Sequence, residues 1–236
     1  MIVSPLAKGN LFAPHHGGRR TEKVTRITPH CFVGQCSAAR MAQYFYETDR
    51  NISCNYVIGY DGKIVCVEPE EIRTYCSSSY SNDNRAITIE IASDTSEPYA
   101  MTGAAFNALV YLCVDICKRY HFTGLEAPAN LGKVWDNAEI CQLTAHRWFD
   151  ATACPGNWMY SRLDKLAHDV NYQLERGGDS MKVFRTFNDL PEWAKPTISK
   201  LAKKGYLAGQ GDGVINLSED LVRGLVINDR AKLYGE

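Results

Sequence analysis

The chain has 236 residues, of which 45% are hydrophobic and 22% are charged, and its 26 lysines and arginines nearly balance its 27 aspartates and glutamates. This length suits one full domain followed by a small one. The balanced charge excludes a strongly basic field, so we expect neither nucleic acid nor a membrane as partner. No segment has the roughly 18 uninterrupted apolar residues of a membrane-spanning helix. The N-terminus lacks the pattern of a secretory signal, which predicts synthesis in the cytoplasm without a signal peptide.

Nine cysteines are scattered over apolar segments. An odd number without a secretory signal favours free thiols over a disulfide framework. Most are therefore expected to be small core residues, as for Cys113 and Cys117, which share one face of a predicted helix. A cysteine with a chemical role must be identified by its neighbours in the sequence.

The first predicted elements follow an extended lead-in over residues 1–22. The run KVTRITPH (23–30) predicts a strand that ends near its proline, and SAARMAQYFYE (37–47) predicts a helix that begins at a serine cap. In NYVIGYDGKIVCV (55–67), two β-rich runs flank Asp61-Gly62, which is typical of a tight hairpin.

Next along the chain, AITIEIA (86–92) alternates apolar and polar residues, as a strand does. The segment 102–121 carries apolar residues at the spacing of an amphipathic helix that opens at Thr102. A further helix is predicted over about 157–175. Strands mixed with helices in this way predict an α/β first domain over residues 1–178, with a mixed central sheet flanked by helices.

The last part of the chain, 179–236, is predicted to be a small helical domain after a linker at 176–180. Helices are expected over 191–205 and 218–234, the second capped by Ser218, and a glycine-rich turn is expected at 209–213.

Candidate metal-binding residues stand in LTAHRWFDATACPG (143–156), where His146 and Cys154 are eight positions apart. His30 also follows a β-like run, and a sheet can bring such strand ends together. Catalytic zinc takes three protein ligands, for which imidazole nitrogen and thiolate are suitable donors. Glu90 is unusual because burying a carboxylate in an isoleucine-rich strand is costly unless it is paired or functional. The alternative, that Glu90 faces solvent on a one-sided sheet, stays open from the residues alone.

Four motifs in this order, ITPHC, CNYVIGYDG, AITIEIASDT and TAHRWFDATACPG, resemble the zinc-dependent N-acetylmuramoyl-L-alanine amidases. This family includes phage endolysins, bacterial autolysins and peptidoglycan recognition proteins. The resemblance covers roughly residues 23–175. It implies cleavage of the amide bond between N-acetylmuramic acid and L-alanine of the stem peptide. With no signal peptide expected, a phage or prophage endolysin that reaches the cell wall after release is the predicted biological setting.

The resemblance also implies the site residues. His30, His146 and Cys154 match the ligands of Zn²⁺, Glu90 matches the catalytic glutamate, and Tyr56 is expected close to the metal, where it can hydrogen-bond the reacting carbonyl or water.

One position departs from the family pattern. Several members carry a lysine two residues before the third ligand, and here that position is Thr152. Its hydroxyl can donate a hydrogen bond but carries no charge, so oxyanion stabilisation must depend more on zinc and Tyr56. Asn55, Arg85 and the loop 77–83 are predicted, from their proximity in sequence only, to contact the substrate peptide.

Two other functions are compatible with parts of the sequence: peptidoglycan binding without cleavage, and hydrolysis of another amide. A non-catalytic module that binds peptidoglycan remains an alternative, because some recognition proteins of this family have lost a zinc ligand, but Cys154 is present here. A zinc hydrolase for another amide, reached by convergence, has no support beyond the ligand types.

The C-terminal segment resembles a single S-layer-homology repeat. The matching positions are Asp189, Trp193, Gly205, Gly211-Asp212-Gly213 and Arg223. The resemblance implies attachment to a secondary cell-wall polymer. The alternative is a small helical unit that packs on the amidase or on another copy of itself, which would make a homo-oligomer, and both interpretations stay open.

Overall fold

A computed structural model of the protein describes residues 1–176, 183–207 and 214–234. The chain divides into two units, Met1–Arg176 and Gly177–Glu236. In chain order, the elements of the first unit are β1 (Arg26–Val33), α1 (Ala38–Glu47), β2 (Tyr56–Ile58), β3 (Ile64–Cys66), α2 (Tyr80–Asp83), β4 (Ala86–Ser93), α3 (Gly103–Arg119), β5 (Gly124–Glu126), β6 (Ile140–Leu143), α4 (Gly156–Tyr160) and α5 (Leu163–Glu175).

The six strands form one sheet in the order β3-β2-β4-β1-β6-β5. All neighbouring pairs are parallel except the hairpin of β2 and β3. One face packs its isoleucines against α3 and α5, and the other packs against α1. The predicted α/β class, with a mixed sheet flanked by helices, is confirmed. Because β4 and β1 are central, their side chains are buried on both faces, which makes them a rigid base for functional groups.

The local sequence signals explain where the elements begin. Ser37 accepts a hydrogen bond from the backbone N–H of Arg40, and Thr102 accepts one from that of Ala105, so both predicted caps are present. Gly62 turns the hairpin with φ of +79°, and a Cβ there would lie 2.8 Å from the carbonyl oxygen of Ala104. Only glycine meets both requirements without strain.

Two elements differ from the predicted bounds. Strand β1 continues past Pro29 to Val33, because its pairing with β4 runs along the whole strand while its pairing with β6 ends at Ile27. The helix predicted over 157–175 is two helices, α4 and α5, separated by Ser161 and Arg162.

The second unit contains β7 (Val183–Thr186), α6 (Lys195–Lys203), β8 (Val214–Ser218) and α7 (Glu219–Arg230). Both predicted helices are present, and Ser218 caps α7 by accepting a hydrogen bond from the N–H of Leu221. The antiparallel pair of β7 and β8 was not predicted from the sequence. The turn at 209–213, with Gly211-Asp212-Gly213, and most of the linker at 176–180 lie outside the described residues. Among the helices that are described, none combines the length and apolarity needed to cross a bilayer.

Candidate metal centre and active site

His30 lies in the middle of β1, directly across the sheet from Glu90 on β4. Its side chain is completely buried, and its Nδ1 lies 3.3 Å from the Sγ of Cys154. The other ring nitrogen, Nε2, is buried and has no hydrogen-bond partner among the described residues. Burial, assisted by the nearby His146, holds the pKa of His30 well below its usual range. The imidazole is therefore neutral, which is the form that binds a metal.

His146 and Cys154 come from one loop, which connects β6 to α4. The backbone closes this loop on itself, because the N–H of Arg147 donates to the carbonyl of Cys154 at 3.1 Å. Gly156 follows with φ of +79°, and a Cβ there would lie 2.7 Å from the side chain of Tyr99. The Pro-Gly after the cysteine thus lets the loop turn tightly into α4.

The candidate ligand atoms of His30, His146 and Cys154 all lie within 4.8 Å of one another. Tetrahedral zinc ligands at their usual bond lengths are about 3.6 Å apart, so this grouping fits a metal ion. Burial lowers the pKa of His146. A hydrogen bond with Cys31, together with burial, raises the pKa of the Cys154 thiol well above its ordinary value. Metal binding must therefore displace the thiol proton.

Glu90 lies beside His30, and only one of its two carboxylate oxygens has a hydrogen-bond partner among the described residues. The thiol of Cys76 lies 3.8 Å from Oε1, and Oε2 is buried without a hydrogen-bond partner among the described residues. Burial raises the pKa of Glu90 to about 7, against the smaller opposite effect of Cys76. His30, Cys76 and Glu90 also form a cluster within 4.8 Å. Because the two clusters share His30, they form one candidate centre.

A cavity of about 420 Å³ opens onto Glu90, Cys76 and His146. It is lined by Cys31, Phe32, Val33, Tyr44, Phe45, Arg50, Ile52, Ser53, Tyr75, Cys76, Glu90 and His146. The lining therefore combines aromatic and aliphatic side chains with titratable groups that include Glu90 and His146. Glu90 therefore lines this cavity and does not lie on an open, solvent-facing side of the sheet.

Tyr56 is the first correction to the predicted site. Its hydroxyl donates to Glu70 and accepts from the N–H of Ser4 at 2.7 Å. In the register of β2 and β4, it is Val57 that pairs with Glu90. Tyr56 therefore points to the opposite face of the sheet, and the expectation that it lies close to the metal is wrong.

Asn55 and Arg85 are absent from the lining of this cavity. Asn55 is fully buried; its amide donates to three backbone carbonyls of residues 68–72, and its Oδ1 accepts from the N–H of Thr88. Arg85 precedes β4 and forms ion pairs with Glu22 and Asp136. At about 3.3 Å per residue, the strand separates Arg85 from Glu90 by roughly 16 Å. Both residues stabilise the fold, and neither lines the cavity.

The loop 77–83 reaches the site through one residue, Ser78, whose Oγ lies 3.5 Å from Nε2 of His146. The hydroxyl of Thr152 accepts a hydrogen bond from the N–H of Cys154 at 3.2 Å.

Sequence reasoning missed Cys31, Cys76 and Arg50, which line the cavity. The only available signal was that Cys31 directly follows His30, since the other two lie in loops that no spacing connects to the ligands.

In the second unit, two of the matched positions contact each other, because the guanidinium of Arg223 lies over the ring of Trp193, 5.5 Å from its centroid. Asp189 accepts hydrogen bonds from the N–H and hydroxyl of Thr186, and Gly205 has φ of +73°.

Comparison with known proteins identifies the family of the chain. The profile of the family described as Amidase_2, N-acetylmuramoyl-L-alanine amidase, matches residues 20–157, more than half of the chain. The structure of PlyL is 14% identical, with a TM-score of 0.53, over 70% of this chain and 96% of that one. A mutant endolysin from Bacillus subtilis is 16% identical, with a TM-score of 0.48, over 70% and 99%. At 14% identity, the likeness to PlyL concerns the fold alone. A sequence search of curated proteins found no match.

Proposed function

The chain belongs to the N-acetylmuramoyl-L-alanine amidase family, and on that premise we propose that it hydrolyses the bond between N-acetylmuramic acid and L-alanine of the peptidoglycan stem peptide with Zn²⁺ as cofactor. The observation that carries this proposal is the grouping of His30, His146 and Cys154 beside Glu90, with His146 and Glu90 lining an open cavity.

The donor set suits zinc better than a hard cation, because it consists of two neutral imidazoles and one thiol. The Nε2 of His30 is buried without a hydrogen-bond partner among the described residues. Because buried polar atoms are normally paired, this nitrogen supports the binding of a metal or another polar group that the chain does not provide. When bound at such a site, Zn²⁺ activates water at neutral pH and stabilises negative charge on a carbonyl oxygen.

Glu90 is assigned the proton transfers. Its free Oε2 can accept a proton from the attacking water and deliver it to the departing amine of L-alanine. A pKa of about 7 suits both steps, since a general base works best when its pKa is near the working pH. The cavity gives the substrate carbonyl access to this carboxylate.

Thr152 is assigned a weaker role as a neutral hydrogen-bond donor. Its oxygen accepts from the N–H of Cys154, which orients the hydroxyl and leaves its own proton to donate toward the reacting carbonyl oxygen. With Tyr56 on the other face of the sheet, Thr152 is the hydroxyl nearest in sequence to the third ligand.

The complete ligand set supports catalysis over non-catalytic recognition, because Cys154 stands at the third ligand position and lies against His30. The proposed setting is a phage or prophage endolysin that acts on the bacterial wall after release. For the second unit, binding of a secondary cell-wall polymer or self-association is proposed, and the contact between Trp193 and Arg223, two of the positions matched to the repeat, supports it.

The test is digestion of purified cell walls. Amidase activity should release new N-terminal L-alanine without new reducing sugar ends, and chelation should abolish the release until Zn²⁺ is restored. New reducing ends would identify a glycosidase. Binding to walls without any cleavage would identify the recognition module.

A further inference from the structure

The side chain of Arg147 contacts the backbone of the loop that carries Cys154. Arg147 directly follows His146 in a single 3₁₀ turn, His146–Trp148. Its Nε donates to the carbonyl oxygen of Cys154 at 3.4 Å, and its Nη2 donates to the carbonyl oxygen of Ala153. The backbone N–H of Arg147 donates to the same carbonyl of Cys154. Three hydrogen bonds therefore join the residue beside one candidate ligand to the backbone of another.

Helix α4 holds the guanidinium of Arg147 from the other side. Nη1 donates to Oδ1 of Asn157 at 2.9 Å, and the guanidinium lies over the ring of Tyr160, 4.6 Å from its centroid. Both supports are themselves fixed. The hydroxyl of Tyr160 accepts from Nε1 of Trp148 at 3.1 Å, and the N–H of Asn157 donates to Glu97 at 3.2 Å. A planar guanidinium that stacks on a ring and donates in several directions keeps one orientation.

Cys154 is the candidate ligand that depends most on such support. His30 lies on the central strand β1, where pairing with β4 fixes its backbone, whereas Cys154 lies in the turn just before α4. The N–H of Cys154 donates to the hydroxyl of Thr152, and its carbonyl accepts from Arg147. Both contacts lie within one loop, so a change in that loop moves the Sγ of Cys154 relative to Nδ1 of His30.

We propose that Arg147 is a positioning residue that holds Cys154 against the two histidines and so sets the affinity of the site for Zn²⁺; this inference rests on the ligand set of the proposed function. Arg147 is absent from the lining of the cavity, so it acts through Cys154 and not through substrate. Its fork contacts two successive carbonyls, which the single ammonium of a lysine cannot do. Groups that orient metal ligands typically change metal affinity by about 10- to 100-fold when they are removed.

The experiment measures the Kd for Zn²⁺ by competition with a chromophoric chelator, and the absorption spectrum of the Co²⁺-substituted protein, whose thiolate-to-cobalt band reports Cys154. Arg147→Gln should raise the Kd by about 10- to 100-fold and weaken the band. Arg147→Lys should give a smaller rise of about 3-fold or more, because one of the two carbonyl contacts can be kept.

Arg162→Gln is the matched control. Arg162 stacks on Trp158, with the guanidinium 4.3 Å from the ring centroid, and its Nη1 donates to the carbonyl of Trp158 at 2.9 Å. The change therefore removes a similar stacked arginine next to α4 without removing a contact to Ala153 or Cys154, and it should keep the wild-type Kd and band. Melting temperatures of the metal-free proteins confirm folding, and Arg147→Lys provides the test if Arg147→Gln does not fold.

Metal binding is measured without substrate, which separates this inference from the proposed function. A wild-type protein that binds Zn²⁺ but cleaves no cell wall would contradict the proposed function, while a raised Kd in Arg147→Gln would still support the positioning role. A wild-type Kd and band in the Arg147 variants, or an equal rise in Arg162→Gln, would overturn it.

Discussion

The Nδ1 of His30 and the Sγ of Cys154 lie 3.3 Å apart although 124 positions separate the two residues in the chain. One belongs to a central strand and the other to the loop before α4. The packing of the sheet and the closed backbone of that loop therefore bring the two donors together through the protein alone. Such preorganisation lowers the cost of binding a metal, because the donors do not have to be collected from mobile segments.

Replacing His146 with alanine should abolish both zinc binding and amidase activity, because it removes one of three donors while leaving the buried His30 in place. Metal content after dialysis and release of L-alanine N-termini are the two measurements. His168→Ala is the control, since that side chain is 77% exposed on α5, and it should keep both properties. Full zinc content in His146→Ala would contradict the assigned ligand set.

Replacing Glu90 with glutamine should lower kcat by about 10²- to 10⁴-fold, because the amide cannot accept the proton of the attacking water. Zinc content should not change if Glu90 acts as a base and not as a ligand. Glu47→Gln, on the exposed side of α1, should retain wild-type kcat. A large loss of zinc in Glu90→Gln would favour the ligand cluster of His30, Cys76 and Glu90 instead.

Replacing Tyr56 with phenylalanine should destabilise the protein without affecting catalysis. The change removes the hydrogen bond to Glu70 and the acceptor for the N–H of Ser4, so urea unfolding should show a loss of about 1–2 kcal/mol. Activity measured well below the unfolding transition should stay within about 2-fold of wild type. A large fall in kcat with unchanged stability would restore the catalytic role expected from the family resemblance.

Glu68 should make stability depend on pH. Burial raises the pKa of its carboxyl from 4.5 to about 7, against a weaker effect of the backbone of Ala13. Between these values only the unfolded chain releases the proton. The contribution of Glu68 to the free energy of unfolding is therefore full below pH 4.5, falls as the pH rises to about 7, and is lost above that.

Glu68→Gln removes this titration, so between pH 4.5 and pH 8 the stability of the variant should fall by at least about 1 kcal/mol less than that of the wild type. Urea unfolding at several pH values is the measurement. The exposed Glu47→Gln should follow the wild-type curve, and a Glu68→Gln curve parallel to wild type would show that burial does not raise this pKa.

Much of the fold followed from local chemistry that a sequence displays directly. Ser37, Thr102 and Ser218 begin helices because their side chains accept a hydrogen bond from the first turn. The alternation of Ile87, Ile89 and Ile91 placed them on one face of β4. The short strands β5, β7 and β8 were missed, since three to five residues carry too little periodicity to be distinguished from a loop.

The sequence by itself determined the candidate ligands, because the motifs around His30, His146 and Cys154, and their order, can be recognised without knowing how the chain packs. Tertiary structure alone decided which other residues reach them. Neighbouring positions on a strand face opposite sides of a sheet, so the pairing of Val57 with Glu90 turned Tyr56 away. Likewise, only the folding of separate loops onto β1 and β4 could bring Cys76 and Arg50 into the cavity, because no periodicity links a loop residue to a strand that is distant in the chain.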